Sequence, residues 1–160
     1  MPRRTQTRIG LISDTHGLLR TEALDYLQGS AHIIHAGDIG DADILRRLAQ
    51  IAPVIVVRGN NDTESWASEI PVTQSVVLAG VCVYVIHDVK TLRADSLPTQ
   101  TRVVVAGHSH KPMIEDRNGI LYVNPGSAGR RRFKLPLAVA ELLIAPDGTV
   151  RANIHELDVS

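Results

Sequence analysis

Between residues 8 and 59 the chain alternates unbroken apolar runs with segments of helical period. "RIGLIS" (8–13), "HIIHAG" (32–37) and "PVIVVRG" (53–59) are apolar nearly throughout, the pattern of strands covered on both faces. Between them, "TEALDYLQG" (21–29) sets Ala23, Leu24 and Leu27 on one helical face, with Gly29 as a stop. "DADILRRLAQI" (41–51) places Ile44, Leu45, Leu48 and Ile51 at helical spacing behind Asp41 as N-cap. This rhythm predicts parallel strands joined by right-handed crossovers. The second half changes to hairpins. "QSVVLAGVCVYVIHD" (74–88) turns at Ala79–Gly80, "MIEDRNGILYV" (113–123) at Asn118–Gly119, and the stretch 137–157 at Pro146–Asp147–Gly148, with "RVVVAGH" (102–108) a further strand. The prediction is an α/β fold of mixed strands, in one mixed sheet or two packed ones, forming a single domain over 1–160.

The polar residues fall where the apolar runs stop. The first run ends in Asp14 and His16, the second in Asp38, the third in Asn60, the strand through "VYVIHD" in His87, and "VVVAGHSH" in His108 and His110. Sites in open α/β sheets form outside the carboxyl ends of strands, so five strand ends are expected to bring seven residues to one rim. In extended backbone, residues i and i+2 point the same way, so His108 and His110 are expected to face one spot with Ser109 turned away. Singly, each has an ordinary explanation: a helix cap for Asp14 or Asp38, loop chemistry for Asn60–Asn61–Asp62, a hydrogen-bonded strand histidine for His87. Together they form a donor set of imidazoles, carboxylates and one amide oxygen without a thiolate. That set suits Mn²⁺, Fe or Zn²⁺, and its size suits two ions about 3.5–4 Å apart that share a carboxylate.

Composition narrows the classes. Seventeen basic and seventeen acidic side chains cancel, so no overall field points to nucleic acid or an anionic membrane. "GRRRFK" (129–134) reads as a solvated loop and "PRRTQTR" (2–8) as a frayed terminus. No run approaches the roughly 18 apolar residues of a membrane span. The lone Cys82, inside "VCVYVI", reads as a small buried hydrophobe. The expected compartment is the cytoplasm. His32 and His155 read as structural or surface residues, and Trp66 as an anchoring core or interface aromatic. His35 is either a satisfied core histidine or a support for the metal ligands.

The motifs "SDTHG", "HAGD", "RGNND", "VIHD" and "AGHSH", in this order, resemble the calcineurin-like metallophosphoesterase superfamily. The length and the "NPGS" at 124–127 are most similar to its small prokaryotic phosphodiesterase branch. The resemblance implies a two-sheet sandwich flanked by helices. It implies two divalent metal ions, Mn²⁺ first, with Fe, Zn²⁺ or Ni²⁺ as alternatives. One ion would be held by Asp14, His16 and His110 and the other by Asn60, His87 and His108, with Asp38 bridging. A hydroxide between the ions would attack phosphorus in line. Glycines 37, 59 and 107 would let the backbone turn closely around the ions, and Pro125–Gly126–Ser127 is either a rigid turn against the site or a plain loop.

Two departures stand out. Much of the superfamily has G-N-H-D/E, whose histidine protonates the leaving group. Here that position is Asn61, which cannot do so near neutral pH. Asn61 and Asp62 are therefore carried as catalytic candidates beside Asp38, with Asn61 also facing substrate. The second is Asp88, where a glycine often follows the strand histidine: a carboxylate beside His87 either tightens the second ion or crowds an anionic substrate, and Asp88 is carried with Asn61 as a substrate contact. The expected substrate is a small phosphorylated molecule, a diester ahead of a monoester. Oligomeric state is open, a homo-oligomer included. A second class of function, a binding module, follows from resemblance of the fold to the small subunit of the retromer coat; the complete ligand set favours the enzyme.

Overall fold

The computed structural model describes residues 6–132 and 134–159. Strands β1 (Thr7–Ile12), β2 (His32–His35) and β3 (Val54–Val56) lie parallel, linked through helices α1 (Thr21–Leu27) and α2 (Ala42–Ala49). The Asp41 side chain caps α2 by accepting from Asp43 N–H, as its position predicts. The hairpin β9 (Ala138–Ile144)–β10 (Val150–Glu156) returns from the far end of the chain and adds antiparallel to β1, giving the order β10-β9-β1-β2-β3. The second sheet runs β4-β5-β6-β8-β7. Its strands are β4 (Thr73–Leu78), β5 (Val81–Ile86), β6 (Thr101–Val105), β7 (Met113–Arg117) and β8 (Ile120–Asn124). Hairpins β4–β5 and β7–β8 flank a parallel centre in which β6 pairs with β5 and β8.

Strand alternation decides which residues meet. Val81, Val83 and Val85 of β5, with Val103 and Val105 of β6, pack against Ile9, Leu11, Ile34, Ala140 and Leu142 of the first sheet. The other face of the first sheet, through Ile12, Ile33 and Val139, packs with Ala23 and Leu27 of α1 and Ile44 and Leu48 of α2. The outer face of the second sheet, Tyr84, Ile86 and Val104, has no α-helix over it among the described residues. Val89, Leu92 and Leu97 cover it, from a segment containing two short 3₁₀ turns (Val89–Thr91 and Ala94–Ser96). Among the described residues, the α-helices thus lie on the flank of the first sheet.

Three expectations change. Cys82 points away from the inter-sheet core and is only partly buried, 3.6 Å from Ser75 Oγ, because the even-numbered residues of β5 face outward. Arg8 is not frayed: it donates to Glu141 Oε1 at 2.6 Å and to the Tyr26 and Gln28 carbonyls, which ties α1 to the sheet. The remainder of that basic stretch, residues 2–5, lies outside the described residues. β3 stops early because Arg58 N–H leaves the ladder for Pro71 O, and that departure turns the chain toward the rim.

Leu142, fully buried between the sheets, sets the scale of the core. Leu142→Ala should lower unfolding free energy by about 2–5 kcal/mol in denaturant titration. Val77→Thr, on the exposed face of β4, should stay within about 0.5 kcal/mol of the parent.

Candidate metal centre

The ends of β1, β2, β3, β5 and β6 converge on one edge of the sandwich, three from the first sheet and two from the second. Parallel pairing continues past the strands as cross-loop bonds: Asp14 N–H to Gly37 O, His16 N–H to Asp38 O, and Gly107 N–H to His87 O. Asp14, His16, Asp38, His108 and His110 all have positive φ, between 48° and 71°. Such backbone is uncommon for residues with a side chain, and each instance costs about 1–3 kcal/mol. The expectation that His108 and His110 lie in extended backbone facing one spot is therefore overturned. The left-handed turns splay them, so that His110 joins Asp14 and His16 while His108 joins Asp38 and His87.

In the first group, Asp14 Oδ1, His16 Nε2 and His110 Nε2 stand 3.3–3.7 Å apart. In the second, His87 Nε2 is 3.2 Å from Asp38 Oδ2, and Asn60 Oδ1 is 3.2 Å from His108 Nδ1. Asp38 Oδ2 also lies 3.7 Å from His16 Nε2, which places this carboxylate between the groups. Donor separations of this size suit a cation about 2.0–2.2 Å from each donor. Two observations show that the residues fit metal. Asp14 spends Oδ2 on Ser13 Oγ and His108 N–H, and leaves Oδ1 buried without a partner. His87 donates Nδ1–H to Ala36 O at 2.7 Å, which fixes the tautomer and turns the lone pair of a buried, unsatisfied Nε2 into the site.

The field agrees. Burial works against a charged His87, but the adjacent Asp38 and the charge of Asp14 outweigh it and raise its pKa. Burial likewise opposes ionisation of Asp38, yet His87, Asn61 N–H and His16 hold its pKa at about 2. A pocket that draws a proton onto His87 Nε2 draws a cation to the same place.

The neighbouring side chains brace this arrangement. Asp62 accepts from the backbone N–H groups of Ile39, Gly40 and Gly59, so its carboxylate is consumed in tying the loop after β2 to the loop after β3. The geometry makes Asp62 a positioning residue, not the catalytic one expected. Asn61 is exposed and donates from N–H and Nδ2 to the two oxygens of Asp38, at 2.9 and 3.1 Å. Asp88 Oδ2 points at His108 Nε2, 3.7 Å away. A Cβ on Gly59 would collide with the Asp38 carboxylate, and one on Gly107 with Ser13 Oγ.

His35 is fully buried; it accepts Gly37 N–H at Nδ1 and shares a hydrogen bond with Thr15 Oγ1 at Nε2, supporting the ligand loops without joining them. The 124–127 turn does approach the site. Asn124 Nδ2 donates to Gly107 O and Ser109 Oγ, and Ser127 Oγ donates to Asp14 O. Trp66 packs with the helical layer and is absent from the clefts at the centre; His155 stacks on Tyr26. Sequence reasoning missed Ser13 and Asn124, whose roles depend on loop geometry. It also missed Arg130, Arg131 and Arg132, which line a cleft of about 470 Å³ together with His16, Asp38, Asn61 and His110. Their clustering beside "NPGS" was the available signal.

Residues 7–145 match the family model of the calcineurin-like phosphoesterase superfamily domain, and the chain belongs to that superfamily of metal-dependent phosphoesterases. It is 34% identical over 131 residues to a "Probable metallophosphoesterase" of Methanothermobacter thermautotrophicus, a match covering 74% of this chain and 76% of that one. It is 31% identical over 140 residues to "Phosphodiesterase YfcE" of Escherichia coli K12, covering 72% and 76%. Among solved structures it is similar to vacuolar protein sorting 29 from Cryptosporidium parvum, with TM-score 0.75 and 18% identity over 96% of this chain and 99% of that one. That likeness concerns the fold alone. Among the described residues, no helix is long and apolar enough to cross a membrane.

Burial holds His35 at a pKa of about 4 against an ordinary 6.5, despite the nearby carboxylates. The unfolded chain therefore binds more protons between those values, and stability present above pH ~6.5 should be lost as pH falls toward ~4, on the order of 3 kcal/mol from this group. Urea titrations of metal-free protein at several pH values should show a shallower acid loss for His35→Gln than for the parent.

Proposed function

We propose that the chain is a phosphodiesterase using two divalent cations, with Mn²⁺ the first candidate. The observation that carries this is the placement of Asp38 Oδ2 within 3.7 Å of one ligand group and 3.2 Å of the other, beside unsatisfied buried donors in both. Asp14, His16 and His110 would hold one ion, Asn60, His87 and His108 the second, and Asp38 both. When bound, such ions acidify a water for attack on phosphorus and neutralise the phosphoryl oxygens.

The residues do the rest. Ala36 O keeps His87 in the tautomer whose Nε2 is free to ligate. Asn61 orients the Asp38 carboxylate with its two N–H donors, one to each oxygen, and so fixes the direction in which Oδ2 lies between the two groups. Asp88 adds a negative charge 3.7 Å from His108 Nε2, beyond hydrogen-bond distance, and so favours a cation at the second group through its field. None of these groups offers a proton to a leaving alkoxide: the site histidines are committed as ligands and Asn61 has no acidic proton. Protonation then falls to solvent, and esters with acidic leaving groups should react best. Relatives named phosphodiesterase support the diester over the monoester, as does the open path of two clefts away from the centre.

Mn²⁺-dependent hydrolysis of bis(p-nitrophenyl) phosphate should exceed that of p-nitrophenyl phosphate. Asp38→Asn should lose at least ~100-fold in kcat, since even removing a residue that only braces a ligand costs about 10–100-fold. A protein that binds two equivalents of metal by calorimetry yet turns over neither ester would instead be a binding module on this fold. In a series of aryl esters, rate should fall steeply with leaving-group pKa, and Asn61→His should flatten that dependence.

A further inference from the structure

Three arginines stand at the centre with no part in holding metal. After β8 the chain crosses the loop that follows β1, and it is tied there. Ala128 N–H donates to Ser13 O at 3.0 Å, and Arg20 Nε donates to Gly129 O at 2.9 Å. Ser127 Oγ lies 3.1 Å from Asp14 O and 3.0 Å from Arg130 O. Gly129 sits so close to Thr15 that a Cβ would strike its carbonyl. The backbone bearing Arg130, Arg131 and Arg132 is thus fastened to the segment that carries Asp14 and His16.

The three side chains are exposed, and no carboxylate pairs with them among the described residues. Arg46, Arg93 and Arg117, elsewhere on the surface, each have an acidic neighbour, while Arg47, Arg102 and Arg151 have none among the described residues; what sets the three apart is that they line the cleft at the ligand groups together. Three adjacent guanidinium groups repel one another, and an anion of matching geometry relieves that repulsion through charge-assisted hydrogen bonds. The scissile phosphate does not need them, because two divalent ions already neutralise it.

A second cleft leaves the centre on another side. It has about 420 Å³, shares Asn60 and His108 with the arginine cleft, and is lined mainly by apolar side chains, Val72, Tyr84, Ile86 and Leu92, with Arg58, Asp88 and Arg93 among them. A diester has two arms. With phosphorus over the ligand groups, one arm enters a cleft that is mainly apolar, in which the Arg58 and Arg93 charges are accompanied by Asp88, and the other meets an unaccompanied triple cation.

We propose that the substrate carries a second phosphate beyond the diester that is cut, and that Arg130, Arg131 and Arg132 bind it while the opposite arm presents an apolar or aromatic group. This rests on the phosphodiesterase reading.

Two p-nitrophenyl esters of thymidine 5′-phosphate, one with a free 3′-hydroxyl and one with a 3′-phosphate, differ by that group alone. With the full chain loaded with Mn²⁺, the 3′-phosphorylated ester should have the higher kcat/KM by ~10-fold or more at low salt, mainly through KM. The ratio should shrink as salt rises, and in R130Q/R131Q/R132Q it should approach one. A parent ratio near or below one, or a preference that survives the triple substitution in a protein with unchanged circular dichroism, overturns the proposal. If neither ester reacts, the phosphodiesterase reading fails separately, and calorimetry with thymidine 3′,5′-bisphosphate against thymidine 5′-phosphate decides the arginines. Tighter binding of the bisphosphate by the parent, lost in the triple variant, upholds them; equal binding overturns them too.

Discussion

The constraint that the rest of this molecule answers is the convergence of two buried carboxylates, Asp14 and Asp38, on the single ring nitrogen His87 Nε2. Their oxygens lie 3.9 and 3.2 Å from it, at residues that are nearly or fully buried. Like charges held this close, with further imidazole lone pairs turned the same way, destabilise a fold that has no cation to place among them. The structure holds them by force of hydrogen bonds from outside. Ser13 and His108 N–H grip Asp14, Asn61 grips Asp38, and Asp62 clamps the two loops that flank it. Five residues in left-handed backbone add to the burden. Cation binding to the folded chain alone would return that energy as stability, so metal should act as a folding ligand as well as a reagent.

This view separates residues that touch the chemistry from those that let it exist. Asp62 shows why sequence position does not tell them apart. It follows the G-N pair as a catalytic acid partner would, yet its oxygens are filled by three backbone N–H groups. His35 makes the same point from inside the core. Its neutral ring joins Gly37 N–H to Thr15, so burial that depresses its pKa is also what keeps it a usable acceptor.

Much of the fold was legible because its signals are local. Unbroken apolar runs mark β1 and β2, buried on both faces, and Asn118–Gly119 marks the β7–β8 turn. Whether the hairpins joined one sheet or formed two was not legible from periodicity. That outcome depends on the β9–β10 hairpin travelling back to β1, a long-range pairing that no local pattern encodes. The site residues were legible because each ends a strand, but their directions were not. Period-two reasoning fails where φ turns positive, and those are the positions that split His108 from His110. Cys82 erred for a related reason: apolar neighbours on both sides do not say which face of a strand is inward.

The two flanks of the sandwich differ in a way that bears on specificity. Helices close the outer face of the first sheet and leave its rim to short loops that carry most of the ligands. Among the described residues, the outer face of the second sheet is covered by the segment around Val89–Leu97, and that segment also walls the mainly apolar cleft through Thr91 and Leu92. The cover of the core and the wall of the cleft are therefore one piece of chain. That segment packs on the outer face and has no member in the inter-sheet core beneath the ligands, so the shape of the cleft and the core are set by different residues. On the other side, Arg130–Arg132 ride on a turn locked to the β1 loop, so their charge can change with little effect on the donors below. A scaffold arranged this way can keep one set of ligand residues constant while the two clefts beside it vary separately.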